Sequence, residues 1–377
     1  MERTLTNNSK MLCFSFNQDS SCFCIGTEKG FIIYKSSPLN DYYIRDLNGG
    51  VGLIAMFNNS NLVGIVGGGK RPYSALNKLV IWNDATSKPI LEITVDFKIK
   101  NIKVKKSLIA IIGKKTIKIY YYNSLEDIMN YIDIDTITTP ENKNGIFTMN
   151  TDPKKNIIAY LTKNIGEIMI KTYFRKKNSD DENDYKIVSK TQSISAHQSE
   201  VTVMSLDPKG DILASVSQKG SLIRLFDTST GAFLKGLRRG NDSAEIYSIN
   251  FDKTSQYVLI TSNKGTVHIF NIGKSKIVKN PKSFLSSLAP YLNLQNTYLD
   301  NEWSFAQYHT KCKINNIANF SGKNNDIVVL TENGMYYRAQ FNYKGGECST
   351  LQEKSFLGME NKDDDFYYDD DDDELVD

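Results

Sequence analysis

The stretches SQKGSLIRLF at residues 217–226 and SNKGTVHIF at residues 262–270 share one pattern. Each begins as a polar turn, in which a glycine permits positive φ, and continues as an alternating strand. Similar stretches lie towards both ends of the chain, TEKGFIIY at residues 27–34 and TENGMYYRAQF at residues 331–341. A turn and an alternating strand that recur along a chain are typical of a hairpin used once in each blade of a β-propeller.

Three more groups of short apolar strands, without the full turn signature, fill the gaps at residues 62–82, 99–122 and 145–173. Together with the four signature stretches they make seven units of about 40 to 50 residues, the length of a propeller blade. We therefore predict an all-β fold, one seven-bladed, WD40-like β-propeller over residues 1–359. The charged run at residues 175–186 is predicted to be a surface loop between the fourth and fifth blades.

The charge of the chain is unevenly distributed. Residues 360–377 contain eleven acidic side chains and one lysine, so their net charge is −10, and the formal charge of +3 for the whole chain leaves +13 on residues 1–359. A basic body favours an anionic partner such as a phosphoinositide, an acidic membrane surface or a nucleic acid. The acidic segment 360–377 is predicted to be a disordered tail, which either solvates the protein or shields its basic face.

Catalytic and metal-binding signatures are weak in this sequence. The run from Gly64 to Lys70 imitates a phosphate-binding loop, but Arg71 and Pro72 follow where a hydroxyl side chain and a helix are needed, which favours a turn between strands. The three histidines are not spaced as metal ligands, and the five cysteines lack the CxxC spacing. We therefore expect no enzymatic activity, no cofactor and no metal.

The region from residue 195 to residue 270 resembles the PROPPIN family, the WIPI-type propellers that bind phosphoinositides in autophagy. The resemblance rests on the order of SAH, SQKGSLIR, LRRG and SNKGTVHIF, in which the LRRG motif comprises Leu237, Arg238, Arg239 and Gly240. The first-blade stretch at residues 14–34 and FNYKGGEC at residues 341–348 extend the likeness to both ends of the predicted propeller. The resemblance implies two headgroup sites, for phosphatidylinositol 3-phosphate and phosphatidylinositol 3,5-bisphosphate.

The adjacent arginines suit two separate pockets. Successive side chains of an extended segment point to opposite sides, so Arg238 and Arg239 need not share a partner. Hydroxyl donors beside fixed cations are the groups that a phosphomonoester requires. We also expect both arginines to be exposed and to add little to stability. The candidate lipid-binding residues are His197, Ser215, Ser217, Lys219, Ser221 and Arg224 with the fifth blade, Ser262, Lys264, Thr266 and His268 with the sixth, and Arg238, Arg239 and Gly240 in the motif.

A second feature indicates membrane contact. The segment GKSKIVKNPKSFLSSLAPYLNL at residues 273–294 places four lysines before a row of apolar residues with helical spacing. Lysines attract an anionic leaflet, and an apolar face can enter the headgroup layer. The alternative is that these residues pack on the rim of the propeller. The candidate membrane-anchoring residues are Phe284, Leu285, Leu288, Tyr291 and Leu292.

The resemblance, together with the basic body, implies a cytoplasmic, monomeric phosphoinositide effector that attaches peripherally to membranes and recruits autophagy-type machinery, either a lipid-transfer or a conjugation-machinery protein. The membranes would be preautophagosomal structures, endosomes or the vacuole, or another organelle that carries phosphatidylinositol 3-phosphate. The alternative function is a propeller scaffold for protein interactions in vesicle or organelle maintenance, including plastid-like organelles, without lipid dependence. Nucleic-acid binding is not expected, because the pattern lacks exposed surfaces that combine aromatic and basic residues.

Overall fold

The computed structural model describes residues 10–39, 42–177, 185–273, 301–322 and 325–357. The described residues form seven antiparallel sheets in a ring, so the prediction of a seven-bladed β-propeller is confirmed. Their helical content is one turn of 3₁₀ helix, Ile128–Asn130. No helix in these residues is long and apolar enough to cross a bilayer. The predicted anchor at Phe284 to Leu292 and the predicted tail at 360–377 lie outside the described residues.

Each of the first four blades uses four consecutive strands. Blade 1 contains β1 (Met11–Phe16), β2 (Cys22–Thr27), β3 (Gly30–Lys35) and β4 (Tyr42–Asp46). Blade 2 contains β5 (Val51–Met56), β6 (Leu62–Gly67), β7 (Lys78–Asn83) and β8 (Lys88–Thr94). Blade 3 contains β9 (Asn101–Lys105), β10 (Leu108–Ile112), β11 (Thr116–Tyr121) and β12 (Ile132–Thr138). Blade 4 contains β13 (Phe147–Met149), β14 (Asn156–Leu161), β15 (Glu167–Lys177) and β16 (Tyr185–Ser195).

The last three blades share strands more freely. Blade 5 contains β17 (Val201–Leu206), β18 (Ile212–Ser217), β19 (Leu222–Asp227), β20 (Phe233–Arg238) and, on its outer edge, β24 (Glu302–Trp303). Blade 6 contains β21 (Ile246–Phe251), β22 (Tyr257–Ser262), β23 (Thr266–Asn271), β25 (Ala306–His309) and β29 (Gly346–Glu347). Blade 7 contains β26 (Asn316–Phe320), β27 (Asp326–Thr331), β28 (Met335–Gln340) and β30 (Ser349–Ser355). The strands β24 and β29 add to their sheets in parallel orientation.

The repeated lysine-glycine and asparagine-glycine turns join the second and third strands of their blades. Gly220, Gly265 and Gly334 adopt φ angles of 66°, 74° and 83°, a region that glycine enters without steric cost. At Gly220 a Cβ atom would lie 1.8 Å from the carbonyl oxygen of Ala244, so a side chain is excluded as well. These turns bring the second and third strands into register and place their polar residues at one end of each blade.

The innermost strand of each blade lines a central channel of about 1520 Å³. Apolar side chains between neighbouring sheets form the rest of the core, because each buried strand alternates its residues between two adjacent blades. Blades 1 and 7 close the ring without sharing a described strand, since each draws its four strands from one end of the chain. The hydroxyl of Tyr34 donates to the carbonyl of Phe356 at 2.9 Å, and that of Tyr336 donates to the carbonyl of Ser36 at 2.6 Å.

The charged run at residues 175–186 was predicted to lie between blades 4 and 5, and this prediction is wrong. β15 and β16 form a long hairpin within blade 4, in which Arg175 pairs with Ile187 and Lys177 pairs with Tyr185. Arg175 also donates from Nε to the hydroxyl of Tyr121 at 2.6 Å, so this part of the run is held against blade 3. Residues 178–184 of the run lie outside the described residues.

Candidate functional site

The register of blade 5 separates its polar side chains onto two faces. Ser215 on β18 lies opposite Arg224 on β19, and Leu222 on β19 lies opposite Arg238 on β20. Cross-strand partners share a face, so Ser215, Arg224 and Arg238 project to one side of the sheet. That side contains Leu213 and Phe226, which pack against blade 4. The polar side chains therefore lie between blades 4 and 5, in a region that we call the 4/5 cleft.

The 4/5 cleft is completed by the connection between the two blades. His197 follows β16, and its Nε2 atom lies 3.0 Å from the Oγ atom of Ser215. Arg224 donates from Nη1 to the carbonyl of Ala196 at 2.7 Å, which holds its guanidinium beside the imidazole. Burial and then the positive charge of Arg224 lower the pKa of His197 to about 4. The imidazole of His197 is therefore neutral at physiological pH. Ser217 lies two residues beyond Ser215 on β18 and so faces the same cleft.

Arg239 leaves the sheet in the opposite direction. Its Nε atom donates to the carbonyl of Gly220 at 2.9 Å, and its Nη2 atom donates to the carbonyl of Asp242. Its side chain is buried, with 7% of the residue exposed, which corrects the expectation that both arginines are exposed. The acceptor is the carbonyl oxygen of Gly220 in the turn between β18 and β19, which comes near Arg239 only in the folded blade. Burial lowers the pKa of Arg239 from its usual value, but a guanidinium remains charged at neutral pH.

The 5/6 cleft is the space between blades 5 and 6 into which Arg239 projects. His268 on β23 lies opposite Ile260 on β22, and Ile260 packs against blade 5, so the imidazole faces the same way. Ser262 and Thr266 share this face by their two-residue spacing from Ile260 and His268. Burial and then the charge of Arg239 lower the pKa of His268 to about 4. This effect of Arg239 on the pKa of His268 agrees with both side chains facing the space between blades 5 and 6.

Unsatisfied polar groups mark both clefts. The Nδ1 atom of His268 is buried in the 5/6 cleft and has no hydrogen-bond partner among the described residues. The Nδ2 atom of Asn301 is also buried, without a partner in the described part of the chain, and its Oδ1 atom occupies the space beside Gly236, on the face of Arg224 and Arg238. Buried polar atoms in folded proteins are nearly always paired with protein or water, so each of these two atoms is free to bond to a water molecule or to a polar ligand group.

The arginines of the clefts also lack counter-ions. Within the described residues no carboxylate lies within ion-pair distance of Arg224, Arg238 or Arg239. Arg45 and Arg338, in contrast, are each paired with an aspartate, Asp84 and Asp326. Guanidinium groups with free donors and no carboxylate partner are suited to bind a phosphate. The arrangement can therefore hold two anions, one on each side of blade 5.

The remaining candidate residues lie around the mouths of the clefts. Lys219 and Lys264 are exposed in the turns of blades 5 and 6. The carbonyl of Ser221 accepts a bond from the backbone nitrogen of Arg239 at 3.0 Å. A Cβ atom on Gly240 would meet no atom within 4 Å, so open space adjoins the arginine pair. These residues lie at the edges of the clefts. Among the described residues, none of them forms a hydrogen bond with His197 or His268.

Three residues near the clefts were missed in the sequence. Asn301 and Trp303 arrive with β24, which pairs in parallel with the end of β20 so that Trp303 lies opposite Arg238. His309 on β25 lies beside the 5/6 cleft, with its Nδ1 atom 3.0 Å from the Oγ1 atom of Thr266. These residues are more than 60 positions beyond the LRRG motif, and no local pattern indicates that the chain returns to blade 5.

The other described histidine, cysteine and acidic side chains do not form a metal site. In the described ranges no group of three or more histidine, cysteine or acidic residues is placed to hold a metal ion. The five cysteines are free thiols, and Cys24 is fully buried. The phosphate-loop imitation begins inside β6, where Gly64 pairs with Ile81, and is followed by bends.

Comparison with known proteins gives a consistent result. Residues 10–347 match the family model described as PROPPIN. SVP1-like protein 2 of Pichia angusta is 29% identical over 338 residues, which cover 88% of this chain and 90% of that protein. Autophagy-related protein 18 of Dictyostelium discoideum is 28% identical over 373 residues, which cover 93% of this chain and 94% of that protein.

Solved structures share the fold. Hsv2 of Kluyveromyces lactis, in a structure with complete loop 6CD, aligns with a TM-score of 0.69 at 21% identity and covers 92% of this chain and 99% of its own. KlAtg21 in complex with the coiled coil of AgAtg16 aligns with a TM-score of 0.65 at 21% identity, with the same coverage. The family model spans nearly the whole propeller, and the chain therefore belongs to the PROPPIN family of β-propellers.

Proposed function

We propose that the 4/5 and 5/6 clefts each bind the phosphorylated headgroup of a phosphoinositide and so attach the propeller to membranes. The observation that carries this proposal is the divergence of Arg238 and Arg239 into two clefts, in neither of which the arginine forms an ion pair with a described carboxylate. Each cleft adds a neutral imidazole and hydroxyl groups that can donate to phosphate oxygens. The ligands are phosphatidylinositol 3-phosphate and phosphatidylinositol 3,5-bisphosphate, as the resemblance of the LRRG region implies.

Recruitment of other proteins is the second part of the proposed function. One structural neighbour, KlAtg21, is solved with the coiled coil of AgAtg16, and one relative carries the name autophagy-related protein 18. We infer that this chain brings a component of the autophagy machinery, of the lipid-transfer or the conjugation type, to membranes that carry 3-phosphorylated lipids. The segment from Phe284 to Leu292 would strengthen the attachment, and this remains a proposal from its sequence.

A liposome flotation assay tests the lipid-binding proposal. The double variant Arg238→Thr and Arg239→Thr should lose flotation with phosphatidylinositol 3-phosphate vesicles, because each cleft loses its phosphate fork. Lys114 and Lys115, an exposed adjacent pair in the corresponding turn of blade 3, provide the matched control. Their double change to Thr removes the same charge and should leave flotation nearly intact.

The flotation result has a clear contrary outcome. If both double variants lose binding equally, attachment depends on net charge and not on the clefts. If the wild type floats equally with vesicles that lack phosphoinositides, the protein is a scaffold without lipid specificity. A thermal unfolding scan of each variant ensures that a folded protein is compared.

A further inference from the structure

The two tryptophans of the chain have opposite environments. Trp82 on β7 is 7% exposed and packs between blades 1 and 2, where its ring lies edge-on to Phe31. Trp303 on β24 is 58% exposed at the outer edge of blade 5. A single exposed apolar residue is ordinary in a folded protein, so exposure alone does not assign a role to Trp303. Its neighbours, however, place it beside one of the two clefts.

Trp303 and Arg238 form one unit on the edge of blade 5. They are direct partners in the parallel pairing of β20 with β24, and the guanidinium carbon of Arg238 lies 5.8 Å from the centre of the indole ring. The ring therefore fixes one side of the cation that we assign to the 4/5 cleft. The rest of the indole faces solvent immediately next to the mouth of that cleft.

The strand that carries Trp303 is held firmly against blade 5. Asn301 occupies the space beside Gly236, where a Cβ atom would lie 2.0 Å from its Oδ1 atom. Glu302 accepts an ion pair from Lys235 at 3.0 Å. Residues on both sides of Glu302 are thus tied to β20 or to Arg238. The exposed ring is displayed by a fixed element of the sheet.

We propose that Trp303 is a second membrane contact, which enters the headgroup layer of the bilayer when the 4/5 cleft binds its lipid. This inference rests on the proposed function. An indole has a large apolar body with one donor, and tryptophan is enriched at the boundary between headgroups and acyl chains. A lipid headgroup bound by Arg238 brings the membrane surface to the edge on which Trp303 lies. The occupant of this edge is therefore the bilayer that contains the bound headgroup.

Intrinsic fluorescence tests this proposal, because Trp82 is the only other tryptophan. The probe is a phosphatidylcholine vesicle containing phosphatidylinositol 3-phosphate, with or without bromine on the lipid chains. On binding, wild-type emission should shift to shorter wavelength and be quenched by the brominated lipid. The Trp303→Phe variant should lose both signals, and the Trp82→Phe variant should keep them. Soluble inositol 1,3-bisphosphate should not reproduce the blue shift, because it brings no bilayer.

A binding measurement adds a readout that does not depend on fluorescence. Trp303→Ser should weaken binding to these vesicles about tenfold more than it weakens binding to soluble inositol 1,3-bisphosphate, because both ligands lose the ring that supports Arg238 but only the vesicle loses a membrane contact. Tyr43→Ser provides the matched control, since Tyr43 is 59% exposed on the outer strand of blade 1 and should not matter.

The outcomes separate this inference from the proposed function. If wild-type protein floats with the vesicles but the emission of Trp303 is neither shifted nor quenched, the membrane contact is refuted and lipid binding stands. A Trp303→Ser variant that loses no more affinity for the vesicles than for the soluble headgroup would refute it in the same way. If the wild type does not bind the vesicles at all, the proposed function fails, and the inference fails with it.

Discussion

The 4/5 and 5/6 clefts use equivalent strand positions, yet they hold their arginine and histidine in different ways. In the 4/5 cleft His197 is bonded to Ser215, and Arg238 is half-buried against the indole of Trp303. In the 5/6 cleft Arg239 is buried and donates to two backbone carbonyls, and the Nδ1 atom of His268 has no partner among the described residues. The comparison shows that Arg239 is fixed by hydrogen bonds to the folded backbone in the 5/6 cleft, whereas Arg238 is supported by the exposed ring of Trp303 in the 4/5 cleft.

The largest difference between the two clefts should appear in the free energy of unfolding of variants that lack Arg239 or Arg238. Arg239→Ala leaves the carbonyl of Gly220 without its charged donor, and hydrogen bonds to charged groups contribute about 1.5–3 kcal/mol. We expect a loss of about 2 kcal/mol in the free energy of unfolding and a lower thermal midpoint. Arg238→Ala should cost about 0.5–1 kcal/mol, because it loses a partly exposed contact with Trp303. Thermal unfolding of both variants measures the difference, and equal midpoints would contradict it.

The pH dependence of stability should reveal both histidines. Their pKa values are about 4 in the folded protein and about 6.5 in an unfolded chain, so between these values the unfolded state binds more protons. The stability of the wild type should therefore fall as the pH is lowered from about 6.5 towards 4. His197→Gln and His268→Gln should each make this fall smaller.

A phosphate ligand sharpens the same comparison. Inositol 1,3-bisphosphate should reduce the fall in thermal midpoint at low pH, because a bound anion favours the protonated imidazole. The effect of the ligand should be smaller in both glutamine variants than in the wild type. If the pH profiles of wild type and variants coincide, neither histidine titrates as the clefts require.

Much of the fold could be predicted from the sequence because it depends on local chemistry. Turns such as those at Gly220 and Gly265 require a residue that tolerates positive φ, and the strands that follow alternate polar and apolar positions. The same alternation predicted that Arg238 and Arg239 would project to opposite sides, and it grouped Ser262 with His268. Their binding role remains a prediction.

The remaining features depend on contacts between distant parts of the chain. Burial of Arg239 requires the carbonyl of Gly220, which approaches only when β19 and β20 have paired. Asn301 and Trp303 reach blade 5 through a parallel pairing that follows a connection of more than 25 residues. The long hairpin of blade 4 was mistaken for a loop because its charged residues 175–177 have no apolar alternation, although they pair with β16.

The number of soluble headgroups bound by the protein tests the central claim most directly. Titration calorimetry with inositol 1,3-bisphosphate should give two sites in the wild type, because Arg238 and Arg239 serve separate clefts. Arg238→Ala and Arg239→Ala should each retain one site, and the double variant should retain none. The His268→Ala change should add nothing to the loss caused by Arg239→Ala, but should abolish the site that remains in Arg238→Ala. A single site in the wild type, or loss of all binding in either single variant, would contradict two independent headgroup clefts.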